Sequence, residues 1–181
     1  PLILIVNLFF STSAIAERKY AEKTKDIIRG ELRKFIFSES MEVLPNPLIL
    51  DANGNMVGIG YKEDILIINF WATWCAPCKK EMPSLNSLAQ NMKHEGIRII
   101  TIASGRNSKE AIDTFFDDNN LVNLKKYRDP KGRIAVKYDV TALPTTVVIN
   151  PMGIEIGRII GDIDWDTIDV RSFFKKLLKT K

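Results

Sequence analysis

The sequence predicts an α/β fold in which a central mixed sheet is flanked by helices and extended at its N-terminal side by a β-hairpin. Apolar runs such as "ILIINF" (65–70) and "IRIITIA" (97–103) are too short for typical helices and are separated by stretches of helical period, the pattern of buried strands joined by helices. A later pair, "TTVVIN" (145–150) and "IEIGRII" (154–160), is joined only by the turn "NPMG", so these two strands are antiparallel neighbours. A chain of 181 residues accommodates all of this in one compact domain with a short appendage.

The appendage comes first. Leu2 to Phe10 is apolar, and small and hydroxylated residues then lead to Ala14-Ile15-Ala16. This order reads as the end of an export signal over residues 1–16, either cleaved at the A-x-A site before Glu17 or kept as an inner-membrane anchor. The run is short beside the roughly 20 residues of a membrane span, and a buried terminal strand or helix is the structural alternative. Under either export reading the rest of the chain is periplasmic or otherwise extracytoplasmic, where disulfide chemistry is permitted. Residues 17–41 place Ile27, Ile28, Leu32, Phe35 and Ile36 at helical spacing among charges, which predicts an amphipathic helical linker. Its stripe would dock on the domain or rest on a membrane surface.

The domain itself is expected over 42–181. Asn53-Gly54, between apolar stretches of 48–61, predicts a tight hairpin. "ILIINF" reads as a strand buried on both faces and leads into "WATWCAPCKKEMPSL". Met82, Leu85, Leu88, Ala89 and Met92 then share one helix face, with Gly96 as the stop. A strand (97–103) precedes a helix over 108–120 capped by Ser108. A short strand near 125–128, a turn at Asp129-Pro130 and a short helix over 133–138 follow. After the antiparallel pair, Asp164 or Asp166 is expected to cap a last helix that buries Phe173, Phe174, Leu177 and Leu178, while Lys175, Lys176 and Lys179 complement its negative end. A formal net charge of +4, with both signs mixed along most of the chain, falls short of a nucleic-acid footprint.

Cys75 and Cys78 are the only cysteines. A structural zinc site needs about four ligands, but there is no second cysteine pair and the single histidine, His94, stands outside any ligand pattern. A permanent disulfide closing so small a loop would constrain the unfolded chain little. A redox pair accounts for the surroundings as well. At the first turn of a helix, Cys75 meets unsatisfied N–H groups and the positive end of the macrodipole, which favour thiolate and make it the nucleophile. Cys78, one turn on, can attack a mixed disulfide at Cys75 and release the reduced partner. Pro77 suits an early helical position, whereas Pro83 removes a hydrogen bond further in.

"NFWATWCAPCKKEMPSL" (69–85), followed by "ALPTTVVI" (142–149), resembles the thioredoxin superfamily, and more narrowly its exported TlpA-like and ResA-like thiol-disulfide oxidoreductases. The hairpin, "NLKKYRDPKGRIAVKYDV" (123–140) and "GDIDWDT" (161–167) favour the narrower group over a minimal thioredoxin. The resemblance implies a thioredoxin-like fold and roles for further residues. Pro144 would be the cis-proline facing the cysteines, with the Leu143 and Thr145 backbone, and Ala76 and Pro77, beside an extended substrate segment. Trp74 would flank the site, with Trp71 in the core. Glu81 matches an acidic residue that modulates proton transfer in related reductases; its other reading is a solvated charge in a Lys-rich turn. Where thioredoxin has a buried Asp, this chain has Asn69, which cannot exchange a proton, so deprotonation of Cys78 would fall to Glu81, water or the partner.

The same resemblance implies a monomeric reductant of exported proteins, such as cysteines of cytochrome c or of oxidase copper-site proteins. A membrane electron donor would regenerate the dithiol, with no metal or organic cofactor. A disulfide-forming oxidant is the alternative within this chemistry, although such enzymes usually carry a His between the cysteines or a helical insertion. A copper-binding chaperone of related fold is the alternative from another class, but it would want a wider Cys spacing and a distal His.

Overall fold

In the computed structural model of the chain, residues 22, 24–40, 42–61 and 64–180 are described. The export segment expected over residues 1–16 lies outside them. Strands β1 (Phe35–Phe37), β2 (Leu48–Leu50), β3 (Met56–Gly58), β4 (Ile65–Trp71), β5 (Ile97–Ser104), β6 (Lys125–Asp129), β7 (Thr145–Ile149) and β8 (Glu155–Ile160) form one mixed sheet. Its order is β1-β8-β7-β4-β5-β6-β2-β3. β4, β5 and β6 run parallel, and every other pairing is antiparallel. Helices α1 (Ala76–Asn91), α2 (Lys109–Asp118), α3 (Arg133–Lys137) and α4 (Ile168–Leu178) complete the fold.

Strand parity sorts the core into two layers. Ile65, Ile67 and Trp71 of β4 pack with Met82, Leu85 and Leu88 of α1, Ile112 and Phe116 of α2, and Phe173, Phe174 and Leu177 of α4. The intervening Leu66, Ile68 and Phe70 pack on the opposite face with Ile49, Ile59, Ile134 and Tyr138. Side chains alternate across a strand, so Asn69 shares the α1 face with Ile67 and Trp71. That places one polar group in an otherwise apolar layer, directly beneath the cysteine helix.

The hairpin forms as expected: Gly54 takes φ 86°, and the Asp51 carboxylate accepts the Asn53 and Asn55 amides at 2.9 and 2.8 Å. Its β2 joins β6 at Leu50↔Arg128, making the hairpin one edge of the main sheet. The linker differs from expectation. Over residues 25–37 the chain makes two 3₁₀ turns (Lys25–Ile27 and Gly30–Lys34) and then β1, which pairs with β8, in place of an amphipathic α-helix. Gly30 at φ 53° interrupts the helical path, and the aromatic and β-branched run "FIF" suits a sheet edge. Four of its five apolar residues nevertheless dock on the domain: Leu32 and Phe35 are buried in the same layer as α1 and α4, with Ile27 and Ile28 against it, while Ile36 is exposed. The last helix is capped by Thr167, whose hydroxyl accepts the Val170 amide at 3.2 Å, and not by Asp164 or Asp166. Asp164 instead accepts the Asp166 amide within the loop, and Asp166 pairs with Arg171 of α4 and accepts the Asn91 side-chain amide of α1.

Candidate active site

β4 ends at Trp71, and the chain turns through Ala72–Trp74 before α1 begins. Cys75 is the N-cap of that helix, and its sulfur accepts the Cys78 amide at 3.3 Å. Pro77 falls within the first turn, where its missing N–H leaves nothing unsatisfied. The two sulfurs are joined in a disulfide, with Cα atoms 5.3 Å apart. Cys75 retains 6% exposure and Cys78 none, so an incoming thiol or disulfide reaches Cys75 first. No acidic side chain occupies the first turn of α1, so the helix dipole acts unopposed there and favours a thiolate at Cys75 after reduction. Trp74 is 65% exposed and Ala76 and Pro77 are exposed, forming the rim, whereas Trp71 is buried in the core.

Glu81 lies one turn beyond Cys78 on the same buried face and is 2% exposed, which removes the solvated-charge reading. Its Oε1 accepts the Asn69 side-chain amide at 2.8 Å. Its Oε2 accepts the Trp165 indole N–H at 2.9 Å and the Ile163 amide at 3.2 Å. Asn69 also donates to the Thr146 hydroxyl at 2.9 Å, which ties the amide to β7. Burial pushes the Glu81 carboxyl up from 4.5 to about 7, because desolvation outweighs the donors that favour the carboxylate.

The second sequence landmark meets the first through the sheet. Phe70 of β4 pairs with Thr145 of β7, so Pro144 stands at the edge from which the cysteine loop departs, and the Leu143–Pro144 peptide bond is cis. Thr145 is buried and lies in register with both Phe70 and Ile160, and the Pro144 carbonyl accepts the Gly161 amide. Leu143, outside the ladder and only partly buried, packs against the layer containing both cysteines. His94 is exposed beyond the far end of α1. Among the described residues no three His, Cys, Asp or Glu side chains are grouped to hold a metal ion.

Sequence reasoning did not assign roles to Trp165, Ile163, Thr146 or Asn107. The first two belong to "GDIDWDT", which carries no local periodicity that would point it at α1. Asn107 accepts both the Thr73 amide (2.7 Å) and the Thr73 hydroxyl (2.9 Å) and donates to the Ser104 carbonyl, pinning the cysteine loop to the end of β5. A lone Asn in "SGRNS" gives no sign of that task.

Residues 59–154 match the AhpC/TSA family. The chain is 36% identical over 110 residues to the thiol-disulfide oxidoreductase ResA of Bacillus subtilis, a match that spans 60% of each protein. With ResA of Bacillus thuringiensis subsp. konkukian it shares 33% identity over 132 residues, covering 71% of this chain and 75% of that one. The crystal structure of StoA from Bacillus subtilis superposes with a TM-score of 0.61 at 23% identity, over 72% of this chain and 98% of that one, and carries the same thioredoxin-like fold. With a disulfide between a marginally exposed Cys75 and a buried Cys78, and with these relatives, the chain belongs to the AhpC/TSA family of the thioredoxin superfamily and, within it, to the ResA-like thiol-disulfide oxidoreductases.

Proposed function

We propose that this protein works outside the cytoplasm as a dedicated reductant of disulfides in partner proteins. The observation that carries the reading is the vectorial site: Cys75 at the helix terminus and surface, Cys78 behind it, and a buried carboxyl behind both. In the reduced protein the Cys75 thiolate attacks one sulfur of a partner disulfide, forming a mixed disulfide and expelling the other sulfur as a thiolate. Cys78, losing its proton, then attacks the Cys75 sulfur. The partner leaves with two thiols and the Cys75–Cys78 disulfide remains, so two electrons have moved to the partner. In this reading Glu81 takes the Cys78 proton, since Asn69 cannot and a carboxyl near 7 exchanges protons readily at neutral pH. The extended partner segment lies along the Leu143–Pro144 edge, between Trp74 and the Ala76-Pro77 turn. A membrane electron donor returns the dithiol, and cytochrome c or oxidase copper-site proteins are the partner classes we favour. The dithiol alone is the redox centre, and the protein acts as a monomer. No helix among the described residues is long and apolar enough to cross a membrane.

The test is the reduction potential of the pair, read from tryptophan fluorescence in thiol buffers. A value below about −200 mV is expected of a reductant, and a value near about −120 mV would make the protein an oxidant and overturn the assignment.

A further inference from the structure

"RDPKGRIAVK" (128–137) has no place in the chemistry above. It forms one wall of a groove of about 580 Å³ between α3 and the β2–β3 hairpin. The apolar lining includes Leu48 and Met56, 59% and 57% exposed. Arg128, Lys131, Arg133 and Lys137 surround it. None of the four makes an ion pair within the described residues. The carboxylate within the wall, Asp129, is 4% exposed and accepts the amides of Arg133, Ile134 and Ala135, so it caps α3 and does not answer the cations. Asp51, at the hairpin turn, is committed to the amides of Asn53 and Asn55. Four unanswered positive charges around an apolar floor call for a ligand that is acidic and partly apolar.

Topology relates this groove to the dithiol. β4, β5 and β6 are parallel, so Trp71, Ser104 and Asp129 finish at one edge of the sheet. The ends of β6 and β4, from which the Lys131 turn and the cysteine loop leave, are therefore two strand spacings, about 10 Å, apart, with α3 on the sheet face opposite α1. An extended polypeptide covers that distance in about three or four residues.

We propose that the groove is a second contact for the polypeptide that exchanges with Cys75, and that it receives a short acidic segment carrying one apolar side chain. The proposal rests on the dithiol-exchange reading above and adds to it the chemistry of the partner. A groove between two walls fits a chain segment, whereas a flat anionic membrane would engage the cations and leave the floor uncovered.

The experiment uses the reduced full chain and two synthetic peptides, each with one internal disulfide, followed four residues later by Asp-Asp-Leu-Asp in one and Asn-Asn-Leu-Asn in the other. The acidic peptide is expected to be reduced about tenfold faster at low salt. That advantage should disappear in about 0.5 M salt, where the Debye length is only a few ångströms. A Lys131→Glu, Arg133→Glu, Lys137→Glu variant should lose the preference while reducing the neutral peptide at the wild-type rate. Equal rates on the two peptides, or a preference that survives in the variant, overturn the proposal. Charge-dependent binding to phosphatidylserine vesicles without peptide discrimination also overturns it and assigns the cations to a membrane. Failure to reduce either peptide would instead refute the underlying redox reading.

Discussion

Replacing Glu81 with Gln removes a titration that the fold itself has displaced. The carboxyl is 2% exposed and receives donors from Asn69, Trp165 and Ile163, yet burial dominates and lifts it from 4.5 to about 7. Between those values the unfolded chain has released this proton while the folded chain still holds it. The folded state therefore binds more protons, and its stability falls as pH rises. The contribution is fully present below about 4.5 and lost above about 7. The gap between about 4.5 and about 7 corresponds to roughly 3 kcal/mol at 1.36 kcal/mol per unit, most of which falls between about pH 5 and pH 8. Urea denaturation of the oxidised wild type and the Glu81→Gln variant at those two pH values isolates this group, because other titrations cancel in the difference of differences. Gln cannot accept every donor, but that loss is independent of pH and also cancels. The wild type should lose roughly 2–3 kcal/mol more than the variant over this interval. Equal losses in the two proteins would show that Glu81 titrates as an ordinary carboxyl and would remove it as the proton acceptor for Cys78.

Two further substitutions test the scaffold. Asn107→Ala strips the Thr73 amide and hydroxyl of their acceptor and should cost about 1–2 kcal/mol in urea denaturation, with faster hydrogen exchange at the Thr73 amide; an unchanged midpoint would mean that the cysteine loop holds itself. Gly157→Ala places a Cβ 2.6 Å from the Phe35 ring and against the Ile36 backbone, so it should displace β1 at about 1–3 kcal/mol; limited proteolysis over residues 30–40 should accelerate, and wild-type resistance would contradict the packing.

What the sequence revealed were features carried by local pattern. Short unbroken apolar runs mark β4 and β5, period-3.6 hydrophobicity marks α1, and Asn53-Gly54 marks its turn, because each depends on neighbours in sequence. The linker was misread because the spacing of Ile27, Ile28, Leu32 and Phe35 is equally served by two 3₁₀ turns and a strand, and only the docking partner decides between them. Gly157, which lets Phe35 and the Ile36 backbone lie against β8, supplies that partner from the far end of the chain. The cysteine pair was legible because three-residue spacing is itself the chemistry. Glu81 stayed ambiguous because its fate depends on Ile163 and Trp165, which reach it through a loop whose path no local rule specifies.

That loop also explains how an Asn is compatible with the work of the site. On β4, Asn69 points at the α1 layer, where a carboxylate would have placed a second acid against Glu81. The amide instead donates to Glu81 and to Thr146, and so leaves a single titratable group behind the thiols. Two buried carboxyls in contact would push their protonations apart and couple them. With one, the transfer proposed above has a single carboxyl to receive the Cys78 proton, and its affinity is set chiefly by burial beneath Trp165 and the 161–167 loop. Changes in that loop should therefore move the pH dependence of resolution at Cys78 without touching either sulfur, and this separates proton handling from nucleophile activation at the helix terminus.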